Sequence, residues 1–331
     1  MKTFTYDVAT DVADAVNRLA SDPDSALLGG GTNLVDLMKL GAAQPSSLID
    51  VTRLPLGEID ILDDGSLRVG AAVSNSDLAV HPVVRSRYPV LSRAVLSGAS
   101  GQLRNMATVG GNLFQRTRCV YFMDTSKPCN KRDPGSGCPA IAGDHRNLAI
   151  LGASDHCVAT HPSDMAVALT ALDAVVNIQG PHGAHRVPIG ELYRLPGHDP
   201  DLDTTIGHDE IVTSIDIPAL PDGAVSLYRK VRDRASYAFA LASVAAVLRV
   251  EGGQVTEARV ALGGVAHKPW RAITAEGELL GRSAKHEAFR EAIDLELKAA
   301  VPLRDNGFKV PLVRNLVTEA LTDLAAMSVQ E

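Results

Sequence analysis

The 331-residue chain is poor in aromatics: 6 Phe, 6 Tyr and 1 Trp make up 4% of it. Few platforms therefore exist for stacking single-stranded bases. Positive charge is not in excess either, since 32 Lys and Arg face 39 Asp and Glu for a formal charge of -7. A nucleic-acid footprint needs a basic face, and this composition excludes one. No run of about 18 apolar residues free of charge occurs, so no membrane span is expected. The first residues (MKTFTYDVATDVADAV) lack a charged segment leading into an apolar core and a cleavage site, and no twin arginine is present. By its own sequence the chain is expected in the cytoplasm, with export as a folded passenger on a signal-bearing partner left open. No Gly-Lys dipeptide exists, so there is no Walker A loop, and the G-x-G-x-x-G fingerprint is missing.

Cysteine is the most unevenly distributed residue. Cys119, Cys129, Cys138 and Cys157 fall within 39 residues, and the other 292 hold none. A disulfide framework is not packed this way in a large chain with an ordinary apolar fraction of 45%. The spacing C-x9-C-x8-C-x18-C contains no C-x2-C pair, which excludes a zinc ribbon, a ferredoxin run and a thioredoxin motif. Four thiolates complete the ligand set of either a [4Fe–4S] cluster or tetrahedral zinc, and spacing alone leaves the two open. Arg116, Arg118, Lys127, Lys131 and Arg132 flank the cysteines. They read either as cations raising the potential of an anionic cluster or as a solvated loop. His145, His156 and His161 could each replace a thiolate on zinc, or serve as ordinary hydrogen-bonding histidines.

What is present elsewhere reads as α+β. Strands are expected at 3–6, 26–28, 47–51, 59–62, 66–72, 174–179, 211–217, 225–231 and 254–263. A helix capped by Thr10 carries Val12, Ala15, Val16 and Leu19, and a short one starts at Leu34 and closes at Gly41. Further helices are expected at 88–104, 164–174, 271–280, 284–299 and 310–326, with an Ala-rich apolar segment at 238–250. Apolar periodicity fades from 115 to 160, and a structureless stretch of that length inside a compact domain is usually functional. Pro218–Gly223 is the best linker, which places a domain boundary near 220.

Two glycine loops stand out. Gly29-Gly30-Gly31-Thr32-Asn33 joins a strand to a helix, and Thr108–Asn112 repeats the paired-glycine theme. Converging backbone N–H groups at such turns suit a diphosphate, although one loop alone is as readily structural. Two together could clamp a long ligand with two phosphates.

Four stretches then resemble a known family: Leu28–Lys39 (LGGGTNLVDLMK), Ala107–Leu113 (ATVGGNL), Tyr228–Ala240 (YRKVRDRASYAFA) and Ala261–Arg271 (ALGGVAHKPWR). They are similar to the FAD-binding medium subunit of molybdenum hydroxylases, the xanthine dehydrogenase and carbon monoxide dehydrogenase group. Most members lack the cysteine segment. Cys119–Asp124, Pro128–Cys138 and Gly152–Cys157 resemble instead the flavin subunit of bacterial periplasmic aldehyde oxidoreductase, with 4-hydroxybenzoyl-CoA reductase as the nearest rival.

The resemblance implies a vanillyl-alcohol-oxidase-like FAD-binding domain at 1–221 with a cysteine-rich insertion at about 115–160, followed by a smaller α+β domain at 222–331. It implies FAD contacts from Leu28, Gly29, Gly30, Gly31, Thr32, Asn33 and Leu34, and from Thr108, Gly110, Gly111 and Asn112. Asp164, Val212 and Lys230 match positions near the flavin's polar chain, ring and polar edge. Cys119, Cys129, Cys138 and Cys157 would hold a [4Fe–4S] cluster, and no residue of this chain is expected to be catalytic. The implied role is electron transfer: a large molybdenum-cofactor subunit oxidises an aldehyde, and a small subunit with two [2Fe–2S] clusters passes electrons to this FAD. The alternatives are a zinc-stapled module without redox function and a stand-alone flavin oxidase, for which no convincing acid–base constellation is present.

Overall fold

A computed structural model describes residues 1–328. In chain order its elements are β1 (Thr5–Val8), α1 (Val12–Ser21), β2 (Ser25–Leu28), α2 (Leu34–Leu40), β3 (Ser47–Asp50), β4 (Ile59–Ile61) and β5 (Leu67–Gly70). Five helices follow: α3 (Asn75–Val80), α4 (Pro82–Arg87), α5 (Pro89–Ser97), α6 (Gly101–Met106) and α7 (Val109–Leu113). After α8 (Val120–Met123) come α9 (Asp164–Ala171), β6 (Val175–Gly180), β7 (Gly183–Pro188), α10 (Ile189–Leu192) and β8 (Ile211–Ile217). The chain closes with β9 (Val225–Val231), β10 (Ala242–Glu251), β11 (Gln254–Gly263), β12 (Trp270–Arg271), α11 (Ile273–Leu279), α12 (His286–Glu296) and α13 (Lys309–Ser328).

These elements form three sheets. The first is small and parallel, ordered β1-β3-β2, with α1 crossing from β1 to β2 and α2 from β2 to its neighbour β3, as parallel strands require. Local chemistry starts that crossover at Asp11 rather than Thr10: the Asp11 carboxylate accepts from the Asp14 amide at 2.8 Å. Ala15, Val16 and Leu19 then bury one face of α1. The second sheet is antiparallel, ordered β4-β5-β8-β6-β7, and shares its core with α5 and α9. The third is antiparallel, ordered β12-β11-β10-β9.

The Ala-rich segment is the long strand β10. Helix α13 covers one side of it and α9 the other, so it is apolar at nearly every position instead of alternating. Helix α9 is buried at all eight residues and lies between the second and third sheets. The expected helix at 88–104 is two helices, because the chain turns at Gly98 and Ala99, the latter in the left-handed region at φ 51°. Residues 115–160 contain only α8 and one 3-10 turn (Pro139–Ile141). The expected extent of the second domain runs to 331, and its last three residues lie outside the described ones.

Candidate flavin cleft and cysteine insert

The β2–α2 loop and the α6–α7 loop meet backbone to backbone. A Cβ on Gly30 would lie 1.6 Å from the Met106 carbonyl oxygen, so only glycine fits. Gly31 adds a left-handed φ of 69°. Thr108 caps α7, its Oγ1 accepting from the Gly111 amide at 3.1 Å. Gly110 faces away, donating its N–H to the Ala71 carbonyl at 2.8 Å. This contact locks the second loop onto the end of β5.

The paired loops form one wall of a cleft of about 1140 Å³. Gly29, Gly30, Gly31, Thr32, Asn33 and Leu34 line it, as do Thr108, Gly111, Asn112, Asp164 and Lys230. Among the described residues, no backbone carbonyl accepts from the amides of Gly30, Gly31, Thr32 or Asn33. Asn33 is tied by its Oδ1, which accepts from the Arg116 amide at 3.0 Å, while its buried Nδ2 has no partner. Open amides beside an unpaired buried donor are what an oxygen-rich ligand satisfies. The lining carries Lys39, Arg104, Arg116, Arg118, Lys230 and Arg234 against Asp36, Asp144, Asp164 and Asp233, so it is locally positive in an acidic protein. These features fit a dinucleotide's diphosphate.

The opposite wall is a buried polar cluster. Lys230 donates to Asp164 Oδ2 at 2.7 Å and to the Ser97 carbonyl at 3.2 Å, and Tyr228 donates to Asp164 Oδ1. Both side chains of the ion pair are under one-tenth exposed. Burial, reinforced by the neighbouring Asp164 carboxylate, pushes the Tyr228 hydroxyl far up from its ordinary range, so it stays a donor. Asn112 links the two walls, its Oδ1 accepting from Ser163 Oγ at 2.6 Å, and Ser163 caps α9.

Three expected contacts are not at the cleft surface. Leu28 packs under Gly31, and Gly110 is turned to Ala71 as described. Val212, expected to offer its backbone to the flavin ring, is 4% exposed in β8, paired with Ile178 beside a β-bulge, and its side chain belongs to the core of the second sheet. Tyr228, Ser163, Arg104, Arg234, Tyr237 and Phe239 belong to the cleft or its supports without having been expected there. Of these, only the aromatic interruptions of a basic run at 228–239 leave a trace in the sequence.

The cysteine segment packs against the side of the cleft. Cys119 lines the cleft itself, whereas Cys129, Cys138 and Cys157 stand behind it. All four are free thiols. Cys119 packs with Cys129 around Phe122 and, on its other side, shares a cluster with Cys138 and Val158, the neighbour of Cys157, so the four cysteines gather in one region. Backbone N–H groups point at them: Tyr121 and Phe122 at Cys119, Ala140, Ile141 and Val158 at Cys138, and Ala159 at Cys157. Burial pushes the Cys119 and Cys138 thiols up and takes Cys157 to about 11. Bare thiolates are therefore disfavoured, and the N–H donors make sense once a metal supplies positive charge. Among the described residues, no three His, Cys, Asp or Glu donors close tightly enough to hold one metal ion.

Four of the five flanking cations are struts rather than solvated charges. Lys131 is 2% exposed and donates to the Pro200 carbonyl at 2.7 Å and to Asp203 Oδ1, whose other oxygen accepts from Arg116 Nε at 2.8 Å. Burial raises the Asp203 pKa, but Lys131 and Arg116 outweigh it and hold the carboxyl below its ordinary value. Arg132 donates to the carbonyls of Tyr121, Phe122 and Lys127, and Arg118 pairs with Asp36 at 2.7 Å. Lys127 is exposed. The histidines are engaged elsewhere: His145 with the Ile141 carbonyl, His156 with His198, and His161 with the Ser163 amide. Behind the insert, Lys309 donates to the carbonyls of Leu148 and Gly264 at 2.9 and 2.7 Å, tying the segment to α13.

Two glycine loops clamping a positive cleft, backed by a buried Lys–Asp pair, define a flavin-binding oxidoreductase subunit. The comparisons agree. Residues 2–220 match the FAD-binding domain in molybdopterin dehydrogenase, and residues 226–324 match the carbon monoxide dehydrogenase flavoprotein C-terminal domain. The chain belongs to the FAD-binding medium subunits of the molybdenum hydroxylase family, oxidoreductases that work as complexes with large and small subunits.

It is 47% identical to the aldehyde oxidoreductase FAD-binding subunit PaoB of Escherichia coli K12, over 99% of this chain and 100% of that one. It is 28% identical to the carbon monoxide dehydrogenase medium chain of Hydrogenophaga pseudoflava, over 96% of each. The solved carbon monoxide dehydrogenase of that organism superposes with a TM-score of 0.77 at 27% identity, covering 98% of both chains. No helix among the described residues is long and apolar enough to cross a membrane.

Proposed function

We propose that this chain is the electron-transfer subunit of a molybdenum-dependent aldehyde oxidoreductase. It would take electrons from the [2Fe–2S] clusters of a small partner onto FAD and release them to an acceptor, while a large molybdenum-bearing partner oxidises the aldehyde. Similarity to an aldehyde oxidoreductase subunit along the whole chain supports the substrate class. Residues 1–221 form the flavin domain and 222–331 the smaller one, in keeping with Pro218–Gly223 falling between β8 and β9.

FAD supplies the switch between single-electron and two-electron transfer. The protein's part is position and field. The open amides of Gly30–Asn33 and the unpaired Asn33 Nδ2 bind the diphosphate, and Thr108, Gly111 and Asn112 close the second side. Lys230, held by Asp164 and Ser97, presents a fixed cation at the inner wall, where it stabilises negative charge arriving on the ligand.

Cys119, Cys129, Cys138 and Cys157 hold a [4Fe–4S] cluster. What supports this is the gathering of all four cysteines in one segment beside the cleft, with backbone N–H groups directed at Cys119, Cys138 and Cys157. N–H···S contacts of this kind tune the potential of an iron–sulfur cluster. Because Cys119 also lines the cleft, a cluster held there would stand beside the flavin.

The test is anaerobic addition of an aldehyde to the purified complex and to the isolated chain. Flavin absorbance should bleach in the complex and stay unchanged in the isolated chain. Bleaching of the isolated chain by aldehyde would instead make it a stand-alone oxidase.

A further inference from the structure

Asn75 is the first residue of α3, and the chain around it is stitched to the second glycine loop. Ser74 caps the helix, its Oγ accepting from the Asp77 amide at 3.0 Å, and it pairs with Thr108 in an isolated bridge. The backbone N–H of Asn75 donates to the Ala107 carbonyl at 2.8 Å, and Ser76 Oγ donates to Asn105 Oδ1 at 2.5 Å. These contacts fix the start of α3 against the α6–α7 turn and place Asn75 on the wall of the large cleft.

The side chain is left unsatisfied there. Asn75 is 3% exposed, and its Oδ1 is buried with no hydrogen-bond partner among the described residues. An orphaned amide oxygen in the interior costs folding stability, and a ligand in the cleft is what can complete its bonding.

The neighbours say what kind of ligand. Helices α5 and α6 both pack on α3 and line the same cleft with Ala94, Val95 and Leu103, next to Ala107. Arg104, the charged lining residue of these two helices, is turned to the Gly98 carbonyl at 2.7 Å. Apolar walls with one directional amide suit the edge of a flat heteroaromatic ring. An Asn amide presents its donor and acceptor side by side, and in nucleic acids it reads adenine in this way.

FAD carries two such rings, the isoalloxazine and the adenine, and α5 distinguishes them. Its last residue, Ser97, accepts from Lys230 Nζ at 3.2 Å, and a Cβ on the following Gly98 would stand 3.4 Å from Asp164 Oδ2. Ala94 and Val95 are within one turn of these residues, so the amide and the buried Lys–Asp pair share one end of the cleft. A cation placed to meet negative charge belongs with the ring that is reduced. We infer that Asn75 binds the pyrimidine edge of the isoalloxazine, Nδ2 donating to a ring carbonyl oxygen and Oδ1 accepting from the ring N3–H. The inference rests on the cleft holding FAD.

FAD affinity and thermal stability of the purified complex, stripped of flavin, test it together. Asn75→Leu keeps the size of the side chain and removes both polar atoms. FAD should bind about tenfold more weakly, as the loss of two hydrogen bonds implies, while the flavin-free variant melts at or above the wild-type Tm because the orphaned amide is gone. Unchanged FAD affinity overturns the contact. A lower Tm without flavin overturns it as well, since Asn75 would then serve the fold. ADP, which carries adenine and diphosphate but no flavin, should compete with FAD with the same inhibition constant in both proteins. Weaker ADP binding in the variant puts adenine at Asn75, which overturns the assignment and leaves the flavin reading intact. A wild-type complex that binds no FAD overturns the flavin reading itself. If the leucine variant does not assemble, a crystal structure of the wild-type complex decides: the isoalloxazine edge must lie within hydrogen-bond reach of the Asn75 amide, and water or adenine in its place refutes the proposal.

Discussion

The flavin cleft and the cysteine insert lie side by side and are built by opposite means. The cleft is made of backbone. Its loops touch main chain to main chain at Gly30 and Met106, and its open donors are amides. The insert has almost no regular structure, and side chains hold it: Lys131 and Arg116 on Asp203, Arg132 on three carbonyls, Lys309 on Leu148. A site made of backbone is sensitive to added atoms. One made of side chains is sensitive to lost charges and ligands. The two should therefore fail separately, although Cys119 belongs to both.

Separate failure can be tested from either side. The largest effect is expected for Cys138→Ser, which removes one of four thiolates: the insert should lose its iron while FAD stays near one per chain, read by metal analysis and flavin absorbance. Gly30→Ala is the converse. Its Cβ has no room against the Met106 carbonyl, so FAD should be lost while iron is kept. If either variant loses both cofactors in a chain that remains folded, the two sites are one cooperative unit and the comparison breaks.

A smaller effect is expected within the cleft wall. Lys230→Met leaves Asp164 buried without its cation, and breaking such a pair costs about 3–5 kcal/mol. The loss should appear as a lowered Tm, and adding Asp164→Asn should recover part of it. No recovery would mean that Lys230 acts through something other than the pair. The smallest effect is expected for Asn112→Ala, which removes an acceptor from Ser163 and Gln115. A net hydrogen bond is worth about 1 kcal/mol, so FAD binding should weaken by no more than about fivefold. Iron content should not change, which a combined flavin and metal assay on the same sample would check.

Much of this architecture was legible in the chain. The glycine loops, the late strands and helices and the segment without periodicity follow from turn chemistry and apolar spacing. The pairings that hold the site together were not, because they connect distant residues of ordinary type. Asp164 meets Tyr228 and Lys230 across more than 60 positions, and Lys131 meets Asp203 across 72. The break between α5 and α6 is hidden because Ala99, not glycine, takes the left-handed conformation. The surroundings of Val212 are hidden for a related reason: in β8 a bulge shifts the register by one residue, which decides which face each side chain meets.

The central claim is that one chain carries a flavin and, beside it, a cluster on its only four cysteines. Anaerobic purification followed by metal and flavin analysis of the same sample tests it directly. The account predicts one FAD and about four irons per chain, with a broad iron–sulfur absorption under the flavin bands. FAD accompanied by zinc, or by no metal, would contradict it.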